Sequence, residues 1–303
     1  MSFIPRSLVA LAGLATALPA LAQEVNVYSY RQPELIAPLT EAFTRETGIK
    51  VNVAHLDKGM VERLTAEGSR SPADLVFTVD IARLSAVVEA GHAAPVTTEA
   101  LTANVPENYR DPDGQWYGLT TRARVVYAAK DRVEPGELTT YEELADPKWK
   151  GRICSRSGLH PYNVSLVAAM IHHHGDVATR AWLQGVKANL ARKPQGGDRD
   201  QAKAVWAGEC DNGGTHVNIS GVALTKSAPN RENALKLMEF LVSPRAQEIY
   251  AEANFEYPIA PGTQPSAVVQ SWGSFTPDDV NLMTLAELRP AAVRLIEQVD
   301  FDG

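Results

Sequence analysis

The stretch Val25-Asn26-Val27-Tyr28-Ser29-Tyr30-Arg31-Gln32-Pro33 sets the architecture of this chain. Residues 25–30 alternate and are rich in β-formers. From Pro33, the apolar side chains Leu35, Ile36, Leu39, Ala42 and Phe43 recur close to every 3.6 residues, the period of a half-buried helix. Proline suits the first turn of that helix, and Gly48 suits its end. Working outward, residues 49–54 read as a strand, 58–68 as a helix, 73–78 as a strand, and 81–90 as a helix stopped by Gly91. Short links in the order βαβαβα predict a parallel sheet covered by helices on both faces. In such sheets ligands bind at the carboxyl ends of strands, so the loops at 30–33, 78–81, 157–163 and 195–198 are the ones to watch.

On the amino-terminal side, Arg6 is the one charge before residue 24, and residues 7–19 are apolar or small. Ala20-Leu21-Ala22 gives a small-x-small cleavage pattern ahead of Gln23. Residues 1–22 are therefore predicted to be a cleaved export signal, too short to span a bilayer. The formal net charge is −7, or −8 once Arg6 has left with the signal. With no basic stretch to neutralise phosphates, this argues against a nucleic-acid partner. Cys154 and Cys210 are the two cysteines. In an oxidising compartment a single disulfide between them is expected, because both fall at predicted strands of one sheet; the alternative is two separate buried thiols.

Residues 116–130 form a long strand-like run with Arg122 and Arg124 on one face. A second α/β series follows, with a strand at 151–155, helices at 163–173 and 177–188, and a short strand at 190–193. A helix at 199–208 is predicted to bury Ala202, Val205 and Trp206, and a strand follows at 217–225. Further helices are expected at 230–242 and 286–299. Two α/β units on one exported chain predict two lobes with the ligand between them. The first lobe would hold residues 23–120 and 217–275; the second would hold 121–216 together with 276–303.

The candidate chemistry is sparse. Arg31 and Gln32 precede a helix start, where a guanidinium and backbone N–H groups make an anion site. Arg122 either lines a cleft or faces water. Tyr28 and Tyr30 share a strand face and read as packing residues. Tyr162, in Ser157-Gly158-Leu159-His160-Pro161-Tyr162-Asn163, stands just before a helix. His172-His173-His174 resembles a metal site, but adjacent helical residues point about 100° apart and do not converge on one ion. There is no nucleophile elbow, zinc-protease motif, phosphate loop, dinucleotide fingerprint or redox cysteine pair, which favours binding over catalysis.

The segments VNVYSYRQP (25–33), ETGIKV (46–51), SPADLVFTVDIARL (71–84), YGLTTRARV (117–125), ARKPQGGDRD (191–200), THVNISGV (215–222) and FEYPI (255–259) resemble the ferric-iron-binding periplasmic proteins of ABC transporters. The resemblance implies a two-lobed, transferrin-like α/β fold of the type II periplasmic binding class, with a cleft between two parallel-type sheets. It implies a monomer that captures Fe³⁺ and passes it to an inner-membrane permease with a cytoplasmic ATPase. Family members hold iron by tyrosine phenolates with a synergistic anion such as carbonate. Hard ferric iron favours anionic oxygen, and coordination removes the proton of a phenol whose free pKa is near 10. Matched to those motifs, Tyr162 is the expected metal ligand from the second lobe. Arg31 and Gln32 form the anion-holding loop, and Arg122 is a cleft arginine.

One departure matters. After Gly208-Glu209-Cys210-Asp211, family members continue with a strand, a motif like Asn-Thr-Tyr-Tyr, a helix and a returning strand. Here Asn212-Gly213-Gly214 runs straight into Thr215-His216-Val217, and no adjacent pair of tyrosines exists in the 303 residues. Either a segment of the natural chain is missing from this sequence, or the chain is a shortened member with impaired iron binding; as written, the second lobe is expected to be truncated and iron binding to be much weaker than in an intact relative. A metal-free binder of an anion or small organic acid is the alternative, and a secreted enzyme using the same cleft is a further one. Arg31→Ala is expected to weaken anion-dependent binding and leave the fold intact.

Overall fold

A computed structural model describes residues 23–122, 126–213, 218–272 and 278–303. The predicted signal segment, Arg124 and His216 lie outside these residues. The strands are β1 (Glu24–Ser29), β2 (Lys50–His55), β3 (Leu75–Thr78), β4 (Tyr117–Arg122), β5 (Tyr127–Ala128), β6 (Ile153–Cys154), β7 (Asn212–Gly213), β8 (Asn218–Leu224) and β9 (Tyr257–Pro258). The helices are α1 (Pro33–Thr47), α2 (Met60–Glu67), α3 (Ile81–Glu89), α4 (Glu99–Asn104), α5 (Pro161–Ala188), α6 (Asp198–Trp206), α7 (Arg231–Val242), α8 (Pro244–Asn254), α9 (Ala267–Gln270) and α10 (Leu282–Val299). None of the described helices is long and apolar enough to cross a membrane.

Six strands form one sheet in the order β2-β1-β3-β8-β4-β9, and three form another in the order β5-β7-β6. This is the α/β architecture expected, with one correction: the sheets are mixed rather than parallel. In the larger sheet β8 runs antiparallel to both β3 and β4, and β9 antiparallel to β4. The reason is topological. β8 enters the first sheet from the second unit instead of through a right-handed βαβ crossover. The first unit, β1-α1-β2-α2-β3-α3, follows the sequence pattern closely, with Pro33 opening α1 and Gly48 closing it at φ 73°.

Two cores cover the larger sheet. Val25, Val27, Leu75 and Phe77 point to one face, against Phe43 of α1 and Leu237 and Met238 of α7. Tyr28 and Val76 point to the other, against Met60, Leu64 and Leu84. That second core does not stop at the sheet. It continues through Trp116 into Leu282, Leu285 and Ala292 of α10, and on to Val164, Val167 and Trp182 of α5. α10 is therefore a strap that packs on α3 of the first unit and α5 of the second.

The two sheets are also joined by chain. Arg122 at the end of β4 faces Asn218 of β8, and Tyr127 at the start of β5 faces Gly213 of β7. Five residues forward on one strand correspond to five residues back on the other, so the antiparallel register is the same on both sides. Within β4 a bulge between Gly118 and Thr120 shifts the pairing by one residue. Gly118 is required there, since a Cβ would lie 2.5 Å from the Ile219 side chain and 2.8 Å from the Tyr109 carbonyl. Beyond the bulge the pairing is regular, and Thr120 and Arg122 share a face by alternation.

In the second unit, α5 is interrupted at Gly175 (φ 75°, ψ 168°), which reproduces the two helices read from sequence. His173 and His174 end the first segment and turn to different partners, Asp278 at 2.8 Å and Glu142 at 2.9 Å. α6 differs from expectation. Its buried face is Gln201, Ala204 and Val205, and Trp206 is 92% exposed. Burying the 201/204/205 arc places residue 206 about 100° round from 205 and toward water. Ala204 and Val205 instead pack on the disulfide between Cys154 and Cys210, whose Cα atoms are 5.8 Å apart.

The disulfide closes a loop with a sequence separation of 56 residues. Removing it by Cys154→Ser with Cys210→Ser is expected to lower the unfolding free energy by about 3 kcal/mol. Denaturant titration reads that loss. Thiol titration of the unfolded, exported protein should find no free thiol; two reactive thiols would refute the bridge.

Candidate functional site

Two clusters gather the candidate residues, one in each unit. The first gathers at the carboxyl end of β1. Arg31 leaves that strand with its backbone N–H bonded to Ser29 Oγ at 2.9 Å. Its guanidinium turns inward and is 7% exposed. Nε and Nη2 donate to the Tyr250 hydroxyl at 3.0 and 2.7 Å, and Nη2 also donates to Ser220 Oγ at 2.9 Å and forms a short ion pair with Glu256. Arg122 reaches the same groups from β4, with Nη1 3.0 Å from Ser220 Oγ and 3.2 Å from Glu256 Oε1, while its Nη2 donates to the Val79 carbonyl. Thr120 Oγ1 completes the set at 2.5 Å from Glu256 Oε2. Burial pushes the Glu256 carboxyl up, but Arg122 and Arg31 outweigh it and hold the group below its ordinary value. Neighbouring Asp80, which caps α3 and pairs with Arg83 at 3.4 Å, is pushed up by burial.

Arg31 and Arg122, separate candidates in the sequence, thus meet on one carboxylate. Gln32 stays exposed as the residue preceding α1, with no side-chain cap bond. Sequence reasoning missed Glu256, Tyr250, Ser220 and Thr120. Only the alternation of Thr120 with Arg122 hinted at them. The arrangement changes what Arg31→Ala should do, since the guanidinium is part of the interior.

The second cluster surrounds Tyr162. Pro161 opens α5, and His160 precedes it with Nδ1 accepting from the Tyr162 N–H at 3.2 Å. The loop before it is held from behind. Asn163 Nδ2 bonds Ser155 Oγ, the Arg156 carbonyl and the Ser157 carbonyl at 3.0–3.2 Å. Asp302 accepts from Ser157 Oγ at 2.6 Å and from the Gly158 N–H at 2.7 Å. Gly158 is pressed against Phe301, where a Cβ would come within 2.8 Å.

Tyr162 is half-buried. His160 packs edge-on against its ring with centroids 4.5 Å apart, and the Arg156 guanidinium lies 5.2 Å from the ring centroid. Asp198, the first residue of α6, accepts from Arg156 Nη1 at 2.7 Å. Arg156 Nε is buried with no hydrogen-bond partner among the described residues. Tyr127 stands next to this group, its hydroxyl 3.5 Å from the Asp198 carbonyl and its pKa pushed up to about 12, chiefly by burial. Arg156 was not singled out from sequence. The signal was its place six residues before Tyr162, in a loop read only for the phenol.

Other tyrosines are committed elsewhere. Tyr28 donates to Glu67 at 2.8 Å beneath Arg63, Tyr30 accepts from the Met60 N–H at 3.0 Å beneath Arg83, and Tyr117 donates to the Val96 carbonyl at 2.7 Å. Tyr28 and Tyr30 are therefore packing residues, as their strand pattern predicted.

The sequence profile of the bacterial extracellular solute-binding protein family matches residues 70–208. Iron uptake protein A1 of Synechocystis is 42% identical over 317 residues, taking in 92% of this chain and 88% of the relative. The ferric iron-binding protein A of Mannheimia haemolytica, solved in an open conformation, is 47% identical with a TM-score of 0.88, over 92% of this chain and 99% of that one. The Trichodesmium protein FutA, solved in complex with iron and citrate ligands, is 39% identical with a TM-score of 0.87, again over 92% and 99%. The fold is that of an extracellular solute-binding protein. The chain belongs to the group within that family formed by the ferric-iron-binding proteins.

Arg31→Ala leaves the buried Glu256 carboxylate with one guanidinium instead of two. The expected loss is about 3 kcal/mol of unfolding free energy, read by urea titration, with partial recovery in Arg31→Ala/Glu256→Gln. The pH dependence has a definite sign. Glu256 is depressed on folding, so the stability it contributes is present above its ordinary value of 4.5 and is lost as pH falls below it. Glu256→Gln should flatten that acid limb of the stability curve.

Proposed function

We propose that this chain is the periplasmic solute-binding component of an iron(III) ABC importer and has no catalytic role of its own. Residues 1–22 serve as its export signal. Ferric iron is captured between a lobe of residues 23–120 with 217–275 and a lobe of residues 121–216 with 276–303, and handed as a monomer to an inner-membrane permease driven by a cytoplasmic ATPase. The observation that carries this is the presentation of Tyr162. A half-buried phenol stands at the start of α5, fixed from behind by Asn163 and Asp302, in a chain whose relatives over nine-tenths of its length are ferric-iron-binding proteins. The metal-free alternative has no such support.

We place Arg31 and Arg122, which share the Glu256 carboxylate, on the other side of the cleft. With Gln32 at the start of α1, Arg31 and Arg122 then form the side that draws a synergistic anion such as carbonate.

We also read the second lobe as genuinely shortened. The alignment with iron uptake protein A1 runs over 317 residues, more than the 303 of the whole chain, although 92% of the chain takes part, so the excess faces gaps in this chain. The unchanged register from Arg122–Asn218 to Tyr127–Gly213 is what an excision compatible with folding requires. A trication is poorly neutralised by one phenolate and one carbonate. Iron offered with bicarbonate should be held orders of magnitude more weakly than by an intact relative, with little phenolate-to-iron absorption, and Tyr162→Phe should abolish what absorption there is. Tight one-to-one retention with a strong band that survives Tyr162→Phe would overturn the assignment.

A further inference from the structure

We propose that the outer face of α6 is a docking surface for an anionic lipid bilayer, with Trp206 seated among the headgroups and Arg199 and Lys203 paired with lipid phosphates. The proposal goes beyond the ferric-iron reading and does not rest on it.

α6 has two faces. Gln201, Ala204 and Val205 turn inward, and Ala204 and Val205 pack on the Cys154–Cys210 bridge, which gives the helix a fixed base. Arg199, Ala202, Lys203 and Trp206 are exposed. Their spacing of i, i+3, i+4 and i+7 gathers them into one arc of about 100°, opposite the buried residues. Trp206 is 92% exposed, whereas Trp116, Trp149 and Trp182 are buried. An indole carries a large apolar surface, and leaving it in water forgoes the free energy of covering it. Among the described residues neither Arg199 nor Lys203 forms an ion pair. The carboxylates of the same segment are engaged elsewhere. Asp198 accepts from Arg156, Asp200 accepts from the Gly197 N–H at 2.8 Å, and Glu209 pairs with Arg192 at 2.6 Å. The stripe is therefore cationic and aromatic, with its charges uncompensated.

Three considerations favour a bilayer over a protein partner. The first is size. A stable protein interface engages roughly 20–30 residues a side, and this stripe offers one short helix face. The second is chemistry. An indole with Lys and Arg on the same helix face is the pattern of helices that lie in a headgroup layer, where the ring sits at the boundary and the cations reach phosphates. The third is the charge of the whole chain, which is −7. An anionic surface repels such a chain except where it presents a cationic face, so contact through α6 also fixes the orientation of the molecule.

The test is co-sedimentation of the full exported protein with extruded vesicles at low salt. Vesicles containing phosphatidylglycerol should bind it at least about tenfold more tightly than vesicles of phosphatidylcholine alone, and high salt should release it. Lys203→Gln should weaken binding roughly fivefold, the share of one cation near an anionic surface, and Arg199→Glu/Lys203→Glu should abolish it. Trp206→Ala should weaken it further than Lys203→Gln does. In the unmodified protein, tryptophan emission should shift to the blue on adding the anionic vesicles, and Trp206→Phe should remove that shift. Should the charge-reversed variant fail to fold, the lipid preference and salt release of the unmodified protein still decide the matter. Equal sedimentation with phosphatidylcholine, or binding unchanged by Trp206→Ala and Lys203→Gln, would overturn the proposal. Binding to soluble polyglutamate but not to phosphatidylglycerol vesicles would overturn it in favour of an acidic protein partner.

Discussion

The Glu256 carboxylate, shared by Arg31 and Arg122, is the contact on which the first half of the molecule depends. It lies between α8 and β9 and gathers the end of β1, the bulged strand β4 and, through Ser220, strand β8. Burying a lone carboxylate or guanidinium would be prohibitive, so each charge is tolerated only because the others are in place. The cluster sits at the carboxyl end of the sheet, where an α/β fold places its ligands.

The second half solves a different problem, which is to present one phenol and one guanidinium without letting their loop move. Asn163 ties down three points of that loop from inside α5, and Asp302 ties two more from the chain's end. Phe301 and Ile296 press on Gly158 from α10 and its extension. Because α10 also packs on α3, the element that buttresses the Tyr162 loop is the one that couples the two halves.

The second unit has its own disulfide and three-stranded sheet, and its β5–β7 pairing keeps the antiparallel register of β4–β8. Packing and strand pairing of this kind are distributed over many residues, so no single side chain decides the fold of the unit.

The sequence by itself determined the elements of the first unit, the interruption of α5, the packing role of Tyr28 and Tyr30, the pairing of the cysteines as an expectation and the kinship of the chain. These follow from local periodicity, capping residues and motifs that are contiguous along the chain. It did not reveal that the sheets are mixed, that Trp206 faces water, that Arg31 and Arg122 converge on Glu256, or that Arg156 stands over Tyr162. Those facts join residues as far apart as 31 and 256, or 156 and 198. Only the tertiary structure decided them, because charge pairing is set by distance in space and nothing in a local pattern encodes which distant carboxylate a given arginine will meet.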